Sequence, residues 1–382
     1  MEVFRHIRYA TARRFEDPVQ TGFSEGTVAR ERPTGCPQGP FRLGFLMIET
    51  ESMLMSEDCQ FLNIWTPSRT GKFPVLVWIH GGAYIAGSGE EAAYDGSSLC
   101  HQGNIVVVTI SYRLGAFGYL YNKTKGISNL GLKDQMTALR WVKANISRFG
   151  GDENRITLAG QSAGGHSVAA IISTCDEPLF HKAIIQSAPL GMRCGRKNGE
   201  ALYGMMLEAA GKPLETLSTD ELLEAQQVVM KRSRSMMPFS PIEPDFSGRV
   251  SVPSLERVLI TWHKDDASPF VALALNHQER FGNLIDKIAT RIATEKVFGS
   301  TSRKYAKALN AAGIPTETRC LGWRPEGSPF GACHCLEVSL LFGSWERWQG
   351  AKMLGRTSHQ EWEEKAQGFR EKYISFIEQT DR

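Results

Sequence analysis

Six short runs of strand-forming residues, separated by helical stretches, constrain the fold of this chain more than any other feature. Two of them, PVLVWIH (74–80) and NIVVVTISYR (104–113), are continuous and apolar, as strands buried on both faces are. Helical spacing occupies 131–149 and 295–312. Alternation of strands and helices implies right-handed crossovers, so it predicts an α/β fold with a mostly parallel sheet and helices on both faces. The other predicted strands are 155–160, 182–188, 257–264 and 316–323.

Residues 194–236 interrupt this alternation with helical sequence that contains several methionines. The segment follows the carboxyl end of a strand, where ligands bind in open α/β sheets. We therefore expect a helical cap over the site, covering about 194–250, because methionine suits adaptable apolar contact. The alternative is a helix pair that only packs on the sheet. In either case we expect a single domain over residues 1–382.

Charge and hydropathy argue against several classes of partner. A net charge of +3 is too small to indicate a nucleic-acid partner. The apolar runs have the length of strands, far below the ~20 residues of a membrane-spanning helix, so no membrane partner is expected. Residues 1–15 contain no apolar signal-peptide core, which predicts a cytoplasmic location. Cys333-His334-Cys335 has no second Cys/His pair at ligand spacing, so we expect no metal and no cofactor.

The pattern Gly-x-Ser-x-Gly occurs twice, around Ser24 and around Ser162. A nucleophile on a sharp strand-to-helix turn needs a strand before it, a helix after it and small neighbours. Ser162 follows the predicted strand 155–160, its neighbour Ala163 is small, and a helix-compatible segment comes next. Ser24 has bulky neighbours and no strand before it. We therefore predict that Ser162 is the nucleophile of a serine hydrolase and that Ser24 lies in a surface turn.

A serine hydroxyl also needs a general base and donors for the oxyanion that develops. The segment IHGGAY (79–84) suits the donors, because its small residues let backbone N–H groups point into the site. In this type of triad the acid follows the serine and the histidine comes last. His334 lies in a Gly-rich turn after the last predicted strand. Asp265 and Asp266 follow the strand 257–264, and the residues alone leave either one as the acid.

Eight sequence blocks are spread over most of the chain: FRHIRYATARRF (4–15), GCPQGP (35–40), SEDCQFLNIW (56–65), HGGAY (80–84), SYRLGAFGYL (111–120), NLGLKDQMTALRWV (129–142), FGGDENRITLAGQSAGG (149–165) and GACHCLE (331–337). In order and spacing they resemble the type-B carboxylesterases, the cholinesterase-like family that includes bacterial para-nitrobenzyl esterases. The resemblance implies an α/β-hydrolase fold and the hydrolysis of small-molecule carboxylic esters.

The resemblance also implies roles for individual residues. It makes Ser162 the nucleophile, His334 the general base and Asp266 the acid. Asp266 stands where the family usually has Glu, and the 68 residues between it and His334 are fewer than usual, which implies trimmed helices around the site. Gln161 also stands where Glu is commoner, and we expect this exchange to leave the triad untouched. The implied oxyanion-hole N–H groups are those of Gly82, Ala83 and Ala163.

Two structural features follow from the same resemblance. The family's ion pairs, which would fix loops beside the site, correspond to Arg14 with Glu57 and Arg113 with Asp134. Cys36 and Cys59 occupy positions that form a disulfide in secreted members. In a cytoplasmic chain we expect these two cysteines to be adjacent but reduced.

Two alternative functions stay open at this stage. The same triad serves a carbamate, aryl amide or lactone, and only turnover of a substrate panel separates these from an ester. A non-catalytic cholinesterase-like binding protein would lack the nucleophile or the base, whereas this chain has both Ser162 and His334. The sequence does not indicate an oligomeric state.

Overall fold

The computed structural model describes residues 1–23, 33–48, 53–233, 235–279 and 281–379. Within them the strands are β1 (Glu2–Arg8), β2 (Ala10–Thr11), β3 (Val19–Gln20), β4 (Thr34–Gly35), β5 (Leu54–Met55), β6 (Phe61–Thr66), β7 (Phe73–Ile79), β8 (Val106–Ile110), β9 (Gly151–Gln161), β10 (Lys182–Gln186), β11 (Arg257–His263) and β12 (Thr316–Leu321). The α-helices are α1 (Ser97–Gly103), α2 (Gly115–Gly118), α3 (Leu130–Asn145), α4 (Ala163–Thr174), α5 (Arg196–Ala210), α6 (Thr219–Arg232), α7 (Ser268–Ala274), α8 (Leu284–Thr294), α9 (Ser300–Ala311), α10 (Leu336–Leu341), α11 (Trp345–Trp348) and α12 (His359–Glu378).

One eight-stranded sheet organises the fold, in the order β1-β6-β8-β7-β9-β10-β11-β12. All pairings from β8 to β12 are parallel, whereas β1 with β6 and β6 with β8 are antiparallel. The predicted mostly parallel sheet is therefore confirmed, and each of the six predicted strands is present. The two antiparallel strands β1 and β6 were not predicted, because their sequences lack a continuous apolar run.

Strand β7 shows how the sheet is covered on both faces. Alternate side chains of a strand point to opposite faces. Val75 and Val77 belong to a buried cluster with α3 and α4, whereas Leu76 and Trp78 belong to a second cluster with α10 and α12. This double burial explains why the strand is apolar at successive positions rather than at every second one.

The predicted helix 295–312 is longer in the structure. Helix α8 continues through a π-helical turn (Glu295–Gly299) into α9, so helical backbone extends from Leu284 to Ala311. Helix α8 has apolar residues at the spacing of a core-facing helix, but the structure leaves this apolar face exposed. The exposed side chains are Leu284, Ile285, Ile288 and Ile292.

The two predicted ion pairs are present. Arg113 and Asp134 are both buried, with Nη2 and Oδ1 2.7 Å apart. Arg14 Nε lies 2.9 Å from Glu57 Oε2, and this pair is partly exposed. In the region of the expected cap, α5 and α6 pack against each other and bury Leu202, Met206, Leu222 and Val229 in the cluster that contains α3 and α4. Among the helices described, none combines the length and apolar character needed to cross a membrane.

Candidate active site

Ser162 lies at the turn between β9 and α4, the strand-to-helix turn that the sequence predicts. Its backbone has φ 57° and ψ −121°, a conformation that residues with a side chain rarely adopt. Backbone hydrogen bonds hold the turn: Ser162 N–H donates to Gln186 O at 2.8 Å, and His166 N–H donates to Ser162 O at 2.9 Å. A Cβ at Gly164 would lie 2.0 Å from Ile79 O, so α4 approaches β7 more closely than any other residue would permit.

Asp266 and His334 meet at the end of the sheet where Ser162 lies. Asp266 belongs to the segment between β11 and α7, and His334 to the segment between β12 and α10. Asp266 Oδ1 and His334 Nδ1 are 2.6 Å apart, and both side chains are buried. Burial raises the pKa of Asp266, but hydrogen bonding and charge interaction with His334 outweigh it and lower the pKa below its ordinary value. Asp266 is therefore ionised, and Nδ1 is the imidazole nitrogen that donates.

The loop after β7 brings three backbone units to the nucleophile. A Cβ at Gly81 would lie 3.2 Å from Ser162 Cβ, which places this loop against the serine. Gly82 has φ 108°, and a Cβ there would lie 2.0 Å from Ala86 O, so only glycine fits. In the part of the chain that the structure describes, the N–H groups of Gly82, Ala83 and Ala163 donate none of the hydrogen bonds found.

Gln161, whose exchange is expected to leave the triad untouched, lies in direct contact with His334. Gln161 Nε2 and His334 Nε2 are 3.1 Å apart, and the Gln161 side chain is buried. In a neutral imidazole whose Nδ1 donates to Asp266, Nε2 has no proton and accepts from the amide. No sequence pattern indicates this contact, since it joins residues 173 positions apart.

A cavity of about 730 Å³ opens onto Ser162 and is lined almost entirely by apolar side chains. Two aromatic rings flank the base: the ring centroids of Phe270 and Phe298 lie 5.0 Å and 5.4 Å from that of His334. Phe298 belongs to the π-helical turn, a local distortion that often occurs at functional sites. Of the expected site residues, the cavity lining includes Ser162, His334, Gly82 and Ala83, while Asp266 lies behind His334.

Ser187 is a site residue that the sequence analysis missed. It directly follows β10, and its Oγ donates to Asp266 Oδ2 at 2.7 Å. Since Oδ1 faces His334, both carboxylate oxygens of the acid have partners. Its position immediately after the carboxyl end of a parallel strand is the sequence feature that could have indicated a site residue.

Three further residues of the sequence analysis are Ser24, Cys36 and Cys59. Ser24 lies outside the described residues. Cys36 and Cys59 are buried thiols in hydrogen-bonding contact, and that contact, together with burial, raises the pKa of Cys59. Their predicted adjacency is confirmed, while their redox state in the cell stays a prediction.

Comparison with known sequences identifies similar hydrolases. The sequence model of the carboxylesterase family matches residues 1–318. The chain is 35% identical over 389 residues to the probable N-octanoylanthranilate hydrolase AqdA2 of Rhodococcus erythropolis, covering 94% of this chain and 85% of that protein. It is 31% identical over 353 residues to the para-nitrobenzyl esterase of Bacillus subtilis (strain 168), covering 81% and 71% of the two chains.

Solved structures agree with these sequence matches. A thermophilic PNB esterase superposes with a TM-score of 0.83 at 27% identity, covering 98% of this chain and 86% of that one. The carboxylesterase EST55 of Geobacillus stearothermophilus superposes with a TM-score of 0.78 at 28% identity, with the same coverage of 98% and 86%. The expected α/β-hydrolase fold is therefore confirmed.

Proposed function

This chain belongs to the carboxylesterase family and hydrolyses carboxylic esters, and on that premise we propose that Ser162, His334 and Asp266 are its catalytic triad. The observation that carries the proposal is the buried 2.6 Å contact between His334 Nδ1 and Asp266 Oδ1, next to a strained serine that lines the same cavity as the imidazole. A base oriented in this way can take the proton of the serine hydroxyl.

Acyl transfer proceeds in two halves. Ser162 Oγ attacks the ester carbonyl carbon while His334 Nε2 takes the hydroxyl proton, and the Gln161 amide gives up its contact with that nitrogen. His334 then gives the proton to the departing alkoxide, which leaves an acyl-serine. In the second half His334 deprotonates a water molecule, whose attack releases the carboxylic acid and returns Ser162.

Charge develops at two points of this reaction, and the protein has a group for each. The negative charge on the carbonyl oxygen faces the backbone N–H groups of Gly82, Ala83 and Ala163, which we propose as the oxyanion hole. The positive charge on His334 faces Asp266, which stays ionised because its pKa is lowered. Loss of one oxyanion donor costs about 3–4 kcal/mol of transition-state stabilisation in a well-studied serine protease.

The cavity favours an apolar acyl group as substrate. Its walls include Phe270, Val271 and Phe298, and Met236 and Met237 reach it from the expected cap region. Flexible methionine side chains adapt to acyl chains of different length. We propose on this basis that the segment of about 194–250 acts as a cap through these two methionines, within a single domain of residues 1–382. A cytoplasmic location and the absence of nucleic-acid and membrane partners stay predictions.

A second candidate substrate is an aryl amide that carries a carboxylate. Arg42 is the only Lys or Arg among the described residues lining the cavity, and no Asp or Glu is among them. Its guanidinium donates to Met236 O at 3.3 Å, and burial lowers its pKa with no acidic side chain opposing the effect. The relative named as a probable N-octanoylanthranilate hydrolase would act on such an amide, with an apolar acyl chain and an anionic aryl group.

Covalent labelling with a fluorophosphonate tests the proposed function. The wild-type chain should be labelled at Ser162 and should hydrolyse short-chain aryl esters, whereas Ser162→Ala should lose both properties. Ser24→Ala is the matched control, because it removes the serine of the other Gly-x-Ser-x-Gly pattern. Labelling that persists in folded Ser162→Ala would place the nucleophile elsewhere. An ester panel of graded acyl length, read beside the corresponding aryl amides, then identifies the substrate.

A further inference from the structure

A second histidine–carboxylate pair lies behind the proposed triad. His263, the last residue of β11, places its Nε2 2.7 Å from Oε2 of Glu337, in the first turn of α10. Both side chains are buried, and neither lines the cavity. Neither residue therefore has access to substrate, and neither is among the triad residues.

This pair is joined to the acid of the triad by short contacts. The backbone N–H of His263 donates to Asp266 Oδ2 at 2.8 Å. Ser187 Oγ donates to the same oxygen at 2.7 Å and also lies 3.5 Å from Glu337 Oε1. Asp266 and Glu337 are thus two buried carboxylates that both lie within reach of one hydroxyl.

Two buried carboxylates so close together repel each other unless a positive charge compensates one of them. Burial alone would lower the pKa of His263, but Glu337, with smaller contributions from Asp266 and Asp265, raises it above its ordinary value. His263 therefore holds a proton more readily than a free histidine does. The other titratable groups near the pair are Cys333, His334 and Cys335 from the segment before α10 and Tyr373 from α12.

We propose that His263 is a positioning residue, which neutralises Glu337 as an imidazolium and so leaves Asp266 as the single uncompensated carboxylate that faces His334. The inference rests on the proposed triad, because it describes the charge that the base experiences. If the charge on His263 is removed, Glu337 adds a second negative charge behind His334. Protonated His334 is then favoured, and since the base must be unprotonated to act, the acidic limb of the pH–rate profile moves to higher pH.

The test compares kcat/KM against pH for a neutral aryl ester in four proteins: wild type, His263→Gln, the double variant His263→Gln/Glu337→Gln, and His277→Gln. Glutamine keeps a side-chain N–H toward Glu337 but no charge. We expect the acidic limb of His263→Gln to move up by about one pH unit, with little change in KM. The double variant removes both charges and should return the limb to its wild-type position.

His277→Gln is the matched control, because His277 Nδ1 pairs with Asp286 Oδ1 at 3.0 Å away from the triad. Its profile should match the wild type. An unshifted limb in folded His263→Gln, an equal shift in the double variant, or a shift in His277→Gln would each overturn the proposal. If His263→Gln does not fold, His263→Asn takes its place with the same expected shift, and an unshifted limb in that folded variant refutes the proposal. If these pH profiles contradict the role of His263 but turnover still depends on Ser162, only the role of His263 is rejected and the proposed triad is not affected.

Discussion

Asp265 and Asp266 are neighbours in the chain, yet their carboxylates bind in opposite directions. Asp266 Oδ1 lies 2.6 Å from buried His334, whereas both oxygens of Asp265 accept from Arg324 near the surface, at 2.7 and 2.8 Å. Asp265 Oδ2 also accepts from Ala332 N–H at 3.0 Å, which ties it to the loop that carries the base. The two aspartates lie in the turn between β11 and α7, not on an extended segment, and this turn directs their side chains to different partners.

This difference predicts opposite outcomes for two conservative changes. Asp266→Asn should reduce kcat by orders of magnitude, about 10⁴ in the best-studied triad, because the amide neither orients the imidazole nor stabilises its charge. Asp265→Asn keeps an acceptor for Ala332 and should cost at most about 1 kcal/mol of stability, with most activity retained. Turnover of a short-chain aryl ester by both folded variants measures this. The reverse ranking would make Asp265 the acid.

Asp266 should also contribute to stability in a defined pH range. Its pKa is lowered in the folded chain from the ordinary value of 3.8, so its contribution is present above that value and is lost as pH falls through the folded pKa. The difference in Tm between wild type and Asp266→Asn should therefore narrow between about pH 5 and pH 2. A difference that widens on acidification would mean that the fold favours the protonated carboxyl group.

Gln161→Glu should shift the activity profile without destroying it. A carboxylate at the position of the Gln161 amide would lie close to His334 Nε2, where the amide nitrogen is now 3.1 Å away. It favours the imidazolium, so the acidic limb of kcat/KM should move up by about one pH unit. Gln161→Met, of similar size and without charge, is the control and should keep the wild-type limb. Superimposable profiles for all three proteins would show that the Gln161 contact is absent during turnover.

Arg42 should discriminate between anionic and neutral substrates. With Arg42→Gln we expect KM to rise about tenfold for an aryl ester bearing a carboxylate and to stay unchanged for its uncharged analogue, because only the former loses a charge-assisted hydrogen bond. Arg148→Gln, an exposed arginine outside the cavity lining, controls for the general loss of positive charge. Equal effects on both substrates would exclude the carboxylate-bearing amide as a preferred substrate.

Counting thiols tests the state of Cys36 and Cys59. In protein freshly isolated from a reducing cytoplasm and denatured without reductant, all eight cysteines should react with a thiol reagent. Six reactive thiols, with Cys36 and Cys59 protected together, would show that the contacting pair is oxidised.

Sequence reasoning reached those parts of the site that depend on local pattern. The turn at Ser162 is specified by neighbouring residues: a strand, a small residue and glycines. His334 and Asp266 follow predicted strands, whose parallel arrangement brings their ends together. The contacts of Gln161 with His334 and of Ser187 with Asp266 were not predicted, because they depend on the direction of side chains across the sheet. No sequence pattern indicates a role for His263, because its contact is with Glu337, 74 positions later.

At Ser162 the backbone conformation lowers the stability of the fold, while the side chain is the one proposed for catalysis. Glycine adopts φ 57° and ψ −121° at much lower cost than serine, and such strain amounts to about 1–3 kcal/mol. A library of variants selected only for heat resistance would therefore enrich Ser162→Gly, a chain that unfolds at a higher temperature and lacks the proposed nucleophile. Directed evolution of this enzyme toward thermostability therefore needs a turnover screen at every round. The single substitution Ser162→Gly raises stability and is also expected to abolish ester hydrolysis.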